Sequence, residues 1–172
     1  MKKAVTAFAI GVIASATLPS ALAAGLSFDV GQTSESTMVY RLGVQKDFKS
    51  SWWQSDVGRL TGYWDLSYRY WDGDEDSSMH SLSLSPVFVY EFSGERIRPY
   101  VEAGIGIAAL SETEYEGRDF GSSFNFEDRI GLGIRFGENQ ELGLRAMHYS
   151  NAGIKQPNDG IETYSLHYRT SF

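Results

Sequence analysis

The feature that most constrains this chain is a period of two. Eight stretches alternate apolar with polar residues, and clusters of Gly, Asp, Asn and Ser separate them. Such alternation marks strands that turn one face to an apolar medium and the other to something polar. In the first pair, Leu26, Phe28 and Val30, then Met38, Tyr40, Leu42 and Val44, alternate with Ser27, Asp29, Arg41 and Gln45. The third run sets Leu60, Gly62, Trp64, Leu66, Tyr68 and Tyr70 against Arg59, Thr61, Asp65, Ser67 and Arg69. The fourth and fifth align Leu82 to Phe92 and Ile97 to Ala109 in the same way, with Glu91 and Glu102 on their polar faces. The sixth opposes Phe124, Phe126, Ile130, Leu132, Ile134 and Phe136 to Asn125, Glu127, Arg129, Gly131, Gly133 and Arg135. The seventh and eighth occupy Glu141 to Phe172. No helical periodicity competes with this pattern.

The content of the polar faces decides which way the apolar ones point. Arginines and acids stand there beside Gly and Ser, a mixture suited to the crowded interior of an eight-stranded barrel, where opposite charges pair without water. Aromatic residues gather near the ends of the apolar faces (Tyr68 and Tyr70, Tyr90 and Phe92, Phe124 and Phe126, Tyr168 and Phe172), as membrane interfaces require. The mean hydropathy of −0.28 is too low for a bundle of transmembrane helices but suits strands that are half apolar. We therefore expect an all-β fold, an eight-stranded antiparallel transmembrane β-barrel with its apolar face toward lipid. The segments after odd strands (33–36, 72–78, 111–121 and 151–160) read as extracellular loops, and 93–96 and 137–140 as short periplasmic turns. The segment carrying Trp52 and Trp53 is too long for that scheme. Phe172 closes the chain in apolar register, a typical ending for bacterial outer-membrane barrels.

The first residues give the compartment. Lys2 and Lys3 precede the uncharged run Ala4 to Ala16 and the small-residue site Ala21-Leu22-Ala23-Ala24. This is the three-part plan of a secretory signal peptide, expected to be cleaved after residue 23 or 24 and to leave 24–172 as the barrel. Its removal takes two lysines and moves the formal charge from −7 to −9, which excludes nucleic acid as a partner. With no cysteine and three histidines, thiol chemistry is absent and a zinc cluster has little to draw on.

Chemistry concentrates on the last hairpin. His148 and Ser150 share the parity of Leu142, Leu144 and Ala146; Glu162 shares that of Tyr164, Leu166 and Tyr168. The seventh strand runs outward and the eighth inward, so the three polar residues meet at the extracellular end of the lipid-facing surface. A nucleophile, a base and an acidic orienter are the residue types of acyl transfer. By themselves they are equally well read as polar residues that end two strands. His80 and His167 read as exposed or structural histidines, the acidic stretch Asp72 to Asp76 as a solvated loop, and Phe124 and Phe126 as girdle aromatics rather than an acyl groove.

Four motifs go further. His148-Tyr149-Ser150-Asn151-Ala152-Gly153, Gln156-Pro157-Asn158-Asp159-Gly160-Ile161-Glu162, Gly58-Arg59-Leu60-Thr61-Gly62-Tyr63-Trp64-Asp65 and Asn125-Phe126-Glu127-Asp128-Arg129-Ile130-Gly131 resemble the lipid A 3-O-deacylase (PagL) family of Gram-negative outer membranes. The resemblance covers essentially the whole mature chain. It implies an outer-membrane esterase that removes the ester-linked acyl chain at the 3 position of lipid A, with its site toward the outer leaflet. Ser150 would be the nucleophile, His148 the general base and Glu162 the group that orients the imidazole. The Asn151 side chain and the backbone N–H of Ala152 or Gly153 would form the oxyanion hole, with Asn158 in support. Lipid A, within lipopolysaccharide, and outer-membrane lipid are the implied partners. Neither metal nor organic cofactor is needed, and self-association into a homodimer is left open. The alternatives are a structural or adhesin-type barrel, and a barrel phospholipase or acyltransferase using the same trio.

Overall fold

The structure is a computed structural model, described for residues 25–75 and 77–171. The expected signal peptide, Asp76 in the acidic loop and the register of Phe172 lie outside the described residues. Eight long strands close into a barrel: β1 (Gly25–Thr33), β2 (Met38–Asp47), β3 (Gly58–Trp71), β4 (Met79–Phe92), β5 (Ile97–Leu110), β8 (Phe124–Phe136), β9 (Gln140–Ser150) and β10 (Ile161–Ser171). Two short strands, β6 (Glu114–Tyr115) and β7 (Arg118–Asp119), make a small hairpin inside the connection from β5 to β8. Every barrel strand pairs antiparallel with its sequence neighbour, and β1 closes the ring on β10. Closure leaves no strand edge unpaired, which is what a sheet surrounded by hydrocarbon requires.

The parity of the sequence is the parity of the wall. Arg41 and Asp65 are 1 % and 0 % exposed, whereas Leu42, Ile105 and Ile130 on the opposite parity are 60 %, 66 % and 66 % exposed. Charges are thus inside and apolar side chains outside, the reverse of a soluble protein. Inside, the charges alternate in sign across the lumen. Arg145 meets Glu102 at 2.6 Å and Asp29 at 3.4 Å; Asp29 meets Arg41 at 3.3 Å; Arg41 meets Asp65; Asp65 meets Arg129 at 2.6 Å, and Arg129 meets Glu127 at 2.7 Å. His167 faces into this network, its Nδ1 2.5 Å from Asp29 Oδ1. Each ion of this network is paired, and an unpaired one in such a place costs several kcal/mol (~3–5 kcal/mol when a partner is removed).

Above the charges, toward the end where β9 finishes, the lumen is filled by Val39, Trp71, Met79, Tyr115, Phe120, Met147, Tyr149 and Ile161. Tyr115 and Phe120 come from the connection between β5 and β8, so the β6–β7 hairpin folds into the barrel mouth rather than standing in solvent. Arg69 lies at the boundary, its guanidinium 5.2 Å from the ring centres of both Trp71 and Tyr149.

The long connection 48–57 acquires a reason. It folds back along the outer wall, where Gly62 leaves a gap in the apolar face: a Cβ there would stand 2.5 Å from Phe48 Cε2. The Phe48 ring fills that gap, edge-on to Trp52, Trp64 and Phe88 at 6.3, 6.2 and 5.7 Å. Backbone bonds from Phe48 N to Gly62 O and between Trp52 and Leu60 in both directions tie the segment to β3. The extra residues therefore extend the aromatic belt of the wall.

Candidate functional site

His148 sits in the middle of a three-strand register. Its cross-strand partner on β10 is Glu162 and its partner on β8 is Asp128. Because directly opposed side chains on one face of a sheet lie about 4.5–5.5 Å apart at Cβ, the imidazole has a carboxylate on each side. It bonds to the first: Nδ1 and Glu162 Oε1 are 3.0 Å apart. A carboxylate only accepts, so this contact places the proton on Nδ1 and leaves Nε2 free as a base. Both side chains are near half exposure, 40 % for His148 and 44 % for Glu162.

Ser150 ends β9 on the same face as His148. The pairing of His148 with Glu162 is thus present, and Ser150 is placed beside it. Among the described residues the serine hydroxyl takes part in no hydrogen bond. Nucleophile–base contacts are commonly loose without substrate and tighten when it binds.

The segment after Ser150, 151–160, is held from below. Asn151 N donates to Asn158 Oδ1 at 2.8 Å, which fixes the residue following Ser150 and gives Asn158 a supporting place. The Asn151 side chain corrects the expectation that it donates to an oxyanion. It is fully buried, and its Nδ2 donates to Phe120 O and Lys155 O, both at 2.7 Å. Both amide hydrogens are spent on loop structure, so the side chain braces the loop. Ala152 and Gly153 offer backbone donors instead. They follow with φ of 54° and 76°, and neither N–H has an acceptor among the described residues. Consecutive backbone N–H groups in a turn of this kind form an anion-binding concavity.

The connection between β5 and β8 braces this loop a second time. Asp159 N donates to Asp119 O and Asp119 N to Asp159 Oδ2, at 3.0 and 2.9 Å. Gly121, at φ +64°, lets its backbone approach Pro157 O so closely that any Cβ would collide with it. Phe120, Asp119 and Gly121 are supports that sequence reasoning missed, because they come from another loop and lack a spacing that ties them to Ser150. Asp128 was also missed. Its signal was an acid at an even position between Phe126 and Ile130, on the face that should hold only apolar residues.

Beside His148 the outer wall is hollowed into a depression of about 790 Å³ floored by Ala103, Gly104 and Ala146 and walled by Ile105, Ile130 and Tyr164. Two further hollows continue it along the strands past Leu132, Leu144 and Leu166 to Ile134 and Leu142. Small residues make the floor, since Ala and Gly leave room where neighbouring rows carry Leu and Ile. Phe124 and Phe126 pack against each other edge-on, 5.3 Å between ring centres, and neither lines the hollow, in keeping with a girdle role. His80 is exposed and bonds Tyr68 at 2.6 Å, away from the site.

Comparison with known proteins agrees on one relationship. The family model described as lipid A 3-O-deacylase (PagL) matches residues 38–171. A lipid A deacylase PagL of Pseudomonas aeruginosa is 55 % identical over 170 residues, covering 98 % of each chain. Another, from Bordetella bronchiseptica, is 40 % identical over 118 residues, 67 % of this chain and 65 % of that one. The crystal structure of the outer membrane enzyme PagL superposes with a TM-score of 0.83 at 57 % identity, covering 86 % of this chain and 99 % of that one. Neisserial surface protein A, at 14 % identity and a TM-score of 0.52, shares the fold alone.

Proposed function

Because this chain belongs to the lipid A 3-O-deacylase (PagL) family, a solved member of which is an outer membrane enzyme, we propose that it hydrolyses the ester at the 3 position of lipid A through Ser150, His148 and Glu162. Lipid A resides in the leaflet that the wall contacts, and the trio opens sideways onto that wall. The observation that carries the reading is the 3.0 Å bond from His148 Nδ1 to Glu162 on the lipid-facing side, with Ser150 on the same face.

The steps follow from the residues. Ser150 Oγ attacks the ester carbonyl carbon while His148 Nε2 takes the hydroxyl proton, and Glu162 stabilises the imidazolium formed. The carbonyl oxygen gains the negative charge and is met by the N–H groups of Ala152 and Gly153. Collapse breaks the bond to the sugar oxygen, which leaves with the proton returned by His148. Water, activated by the same imidazole, then releases the fatty acid and restores Ser150. The hollow beside His148 is apolar, open to lipid and continuous along the strands, which suits the departing acyl chain; Asp128 adds a hydrogen-bond acceptor at its head. All three residues of the trio reside on one chain, so a second copy is not required to complete the site.

A fluorophosphonate ester should modify the folded protein at one residue, mapped by peptide mass spectrometry to Ser150, and Ser150→Ala should abolish labelling while still migrating as a folded, heat-modifiable barrel. Labelling that persists in Ser150→Ala removes the serine from its role.

A further inference from the structure

We infer that Gly160 is a positioning residue for His148, its missing side chain being the space that lets the imidazole stand where Glu162 and Ser150 need it. The inference rests on the proposed role of His148 as base. Gly160 is buried at the end of the catalytic loop, one residue before β10 and two before Glu162. It has φ +66°, and a Cβ built on it would stand 2.8 Å from His148 Cε1, 3.2 Å from Tyr149 O and 3.3 Å from His148 Nε2. The backbone of residue 160 therefore lies against the ring edge that carries Nε2, while Glu162 holds the opposite nitrogen, Nδ1. The ring is fixed on two sides by residues two apart on one chain segment.

What would yield to a Cβ decides the consequence. Tyr149 O belongs to a backbone paired on both sides in the sheet and cannot retreat. The imidazole is at the end of a half-exposed side chain and can rotate away. Relief is thus cheap for folding and falls on the one group whose placement governs proton transfer. A displacement of about 1 Å in such a group costs about 100-fold in rate.

The left-handed φ must be separated from the clash, since any L side chain dislikes it. Asn tolerates that region better than Ala but carries the same Cβ. Gly137, in the turn between β8 and β9, has φ +58° with no atom within 4 Å of a Cβ, so Gly137→Ala has a similar backbone cost and no contact. The experiment measures kcat, KM and fluorophosphonate labelling rate for full-length refolded protein carrying Gly160→Ala, Gly160→Asn, Gly137→Ala or His148→Ala, with heat-modifiability reporting the folded fraction. The expected result is a drop in kcat and labelling rate of about 100-fold for both Gly160 variants, KM within about twofold, folded fraction retained, and Gly137→Ala unchanged. Wild-type kcat in the Gly160 variants overturns the inference, as does a loss that only tracks the unfolded fraction. If His148→Ala itself keeps full activity, the triad reading fails instead.

Discussion

Glu162→Gln isolates the charge that stands behind the imidazole. The amide keeps an oxygen that can accept from Nδ1–H, so geometry is largely conserved and the lost quantity is the stabilisation of the imidazolium formed during proton transfer. A hydrogen bond to a charged group is worth about 1.5–3 kcal/mol. The 40 % and 44 % exposure of His148 and Glu162 admits solvent to the pair, which puts the loss at the lower end, about 1.5–2 kcal/mol. At about 1.4 kcal/mol per tenfold in rate, kcat should fall about 10- to 30-fold. That is far less than the ~10⁴-fold cost of the equivalent change in a fully buried serine protease triad. Glu162→Ala also removes the acceptor and should lose about tenfold more. The assay is steady-state hydrolysis of a lipid ester in detergent micelles by refolded variants, with kcat and KM separated. Unchanged kcat in Glu162→Gln, or a loss as deep as that of Ser150→Ala, refutes the reasoning that a screened carboxylate supports His148.

Two other perturbations test the wall and the lumen. Asp65→Ala leaves Arg41 and Arg129 without the carboxylate they share, so equilibrium unfolding in urea should show a loss of about 3–5 kcal/mol; a change below about 1 kcal/mol would mean that water screens these charges inside the lumen. Leu144→Arg places a charge on the lipid face between Leu132 and Leu166 and should weaken folding into lipid vesicles by about 2–4 kcal/mol, while insertion equal to wild type would assign that face away from lipid.

The barrel was legible because a period of two assigns every side chain in a strand to one of two faces. Arg41, Asp65, Glu102, Arg129 and Arg145 could be placed in the lumen from parity alone, and His148, Ser150 and Glu162 on the outer wall by the same count. What escaped depends on contacts between segments distant in sequence. The Phe48 ring over Gly62 needs the connection 48–57 to reverse direction, and nothing in that segment alternates. The β6–β7 hairpin has two-residue strands, too short for a periodic signal, and its burial follows from Tyr115 and Phe120 finding the open mouth. The Asn151 amide was misassigned because its acceptors, Phe120 O and Lys155 O, are backbone atoms that carry no sequence signature.

The central claim is that a serine site on the lipid side of this barrel removes the acyl chain at the 3 position of lipid A. Mass spectrometry of lipid A from cells expressing the wild-type chain, set beside cells expressing Ser150→Ala at equal outer-membrane levels, tests it most directly. The account predicts a species lighter by one ester-linked hydroxyacyl chain, lost from the 3 position, in the wild type and not in the variant. Identical lipid A in the two, or loss of a chain from another position, contradicts it.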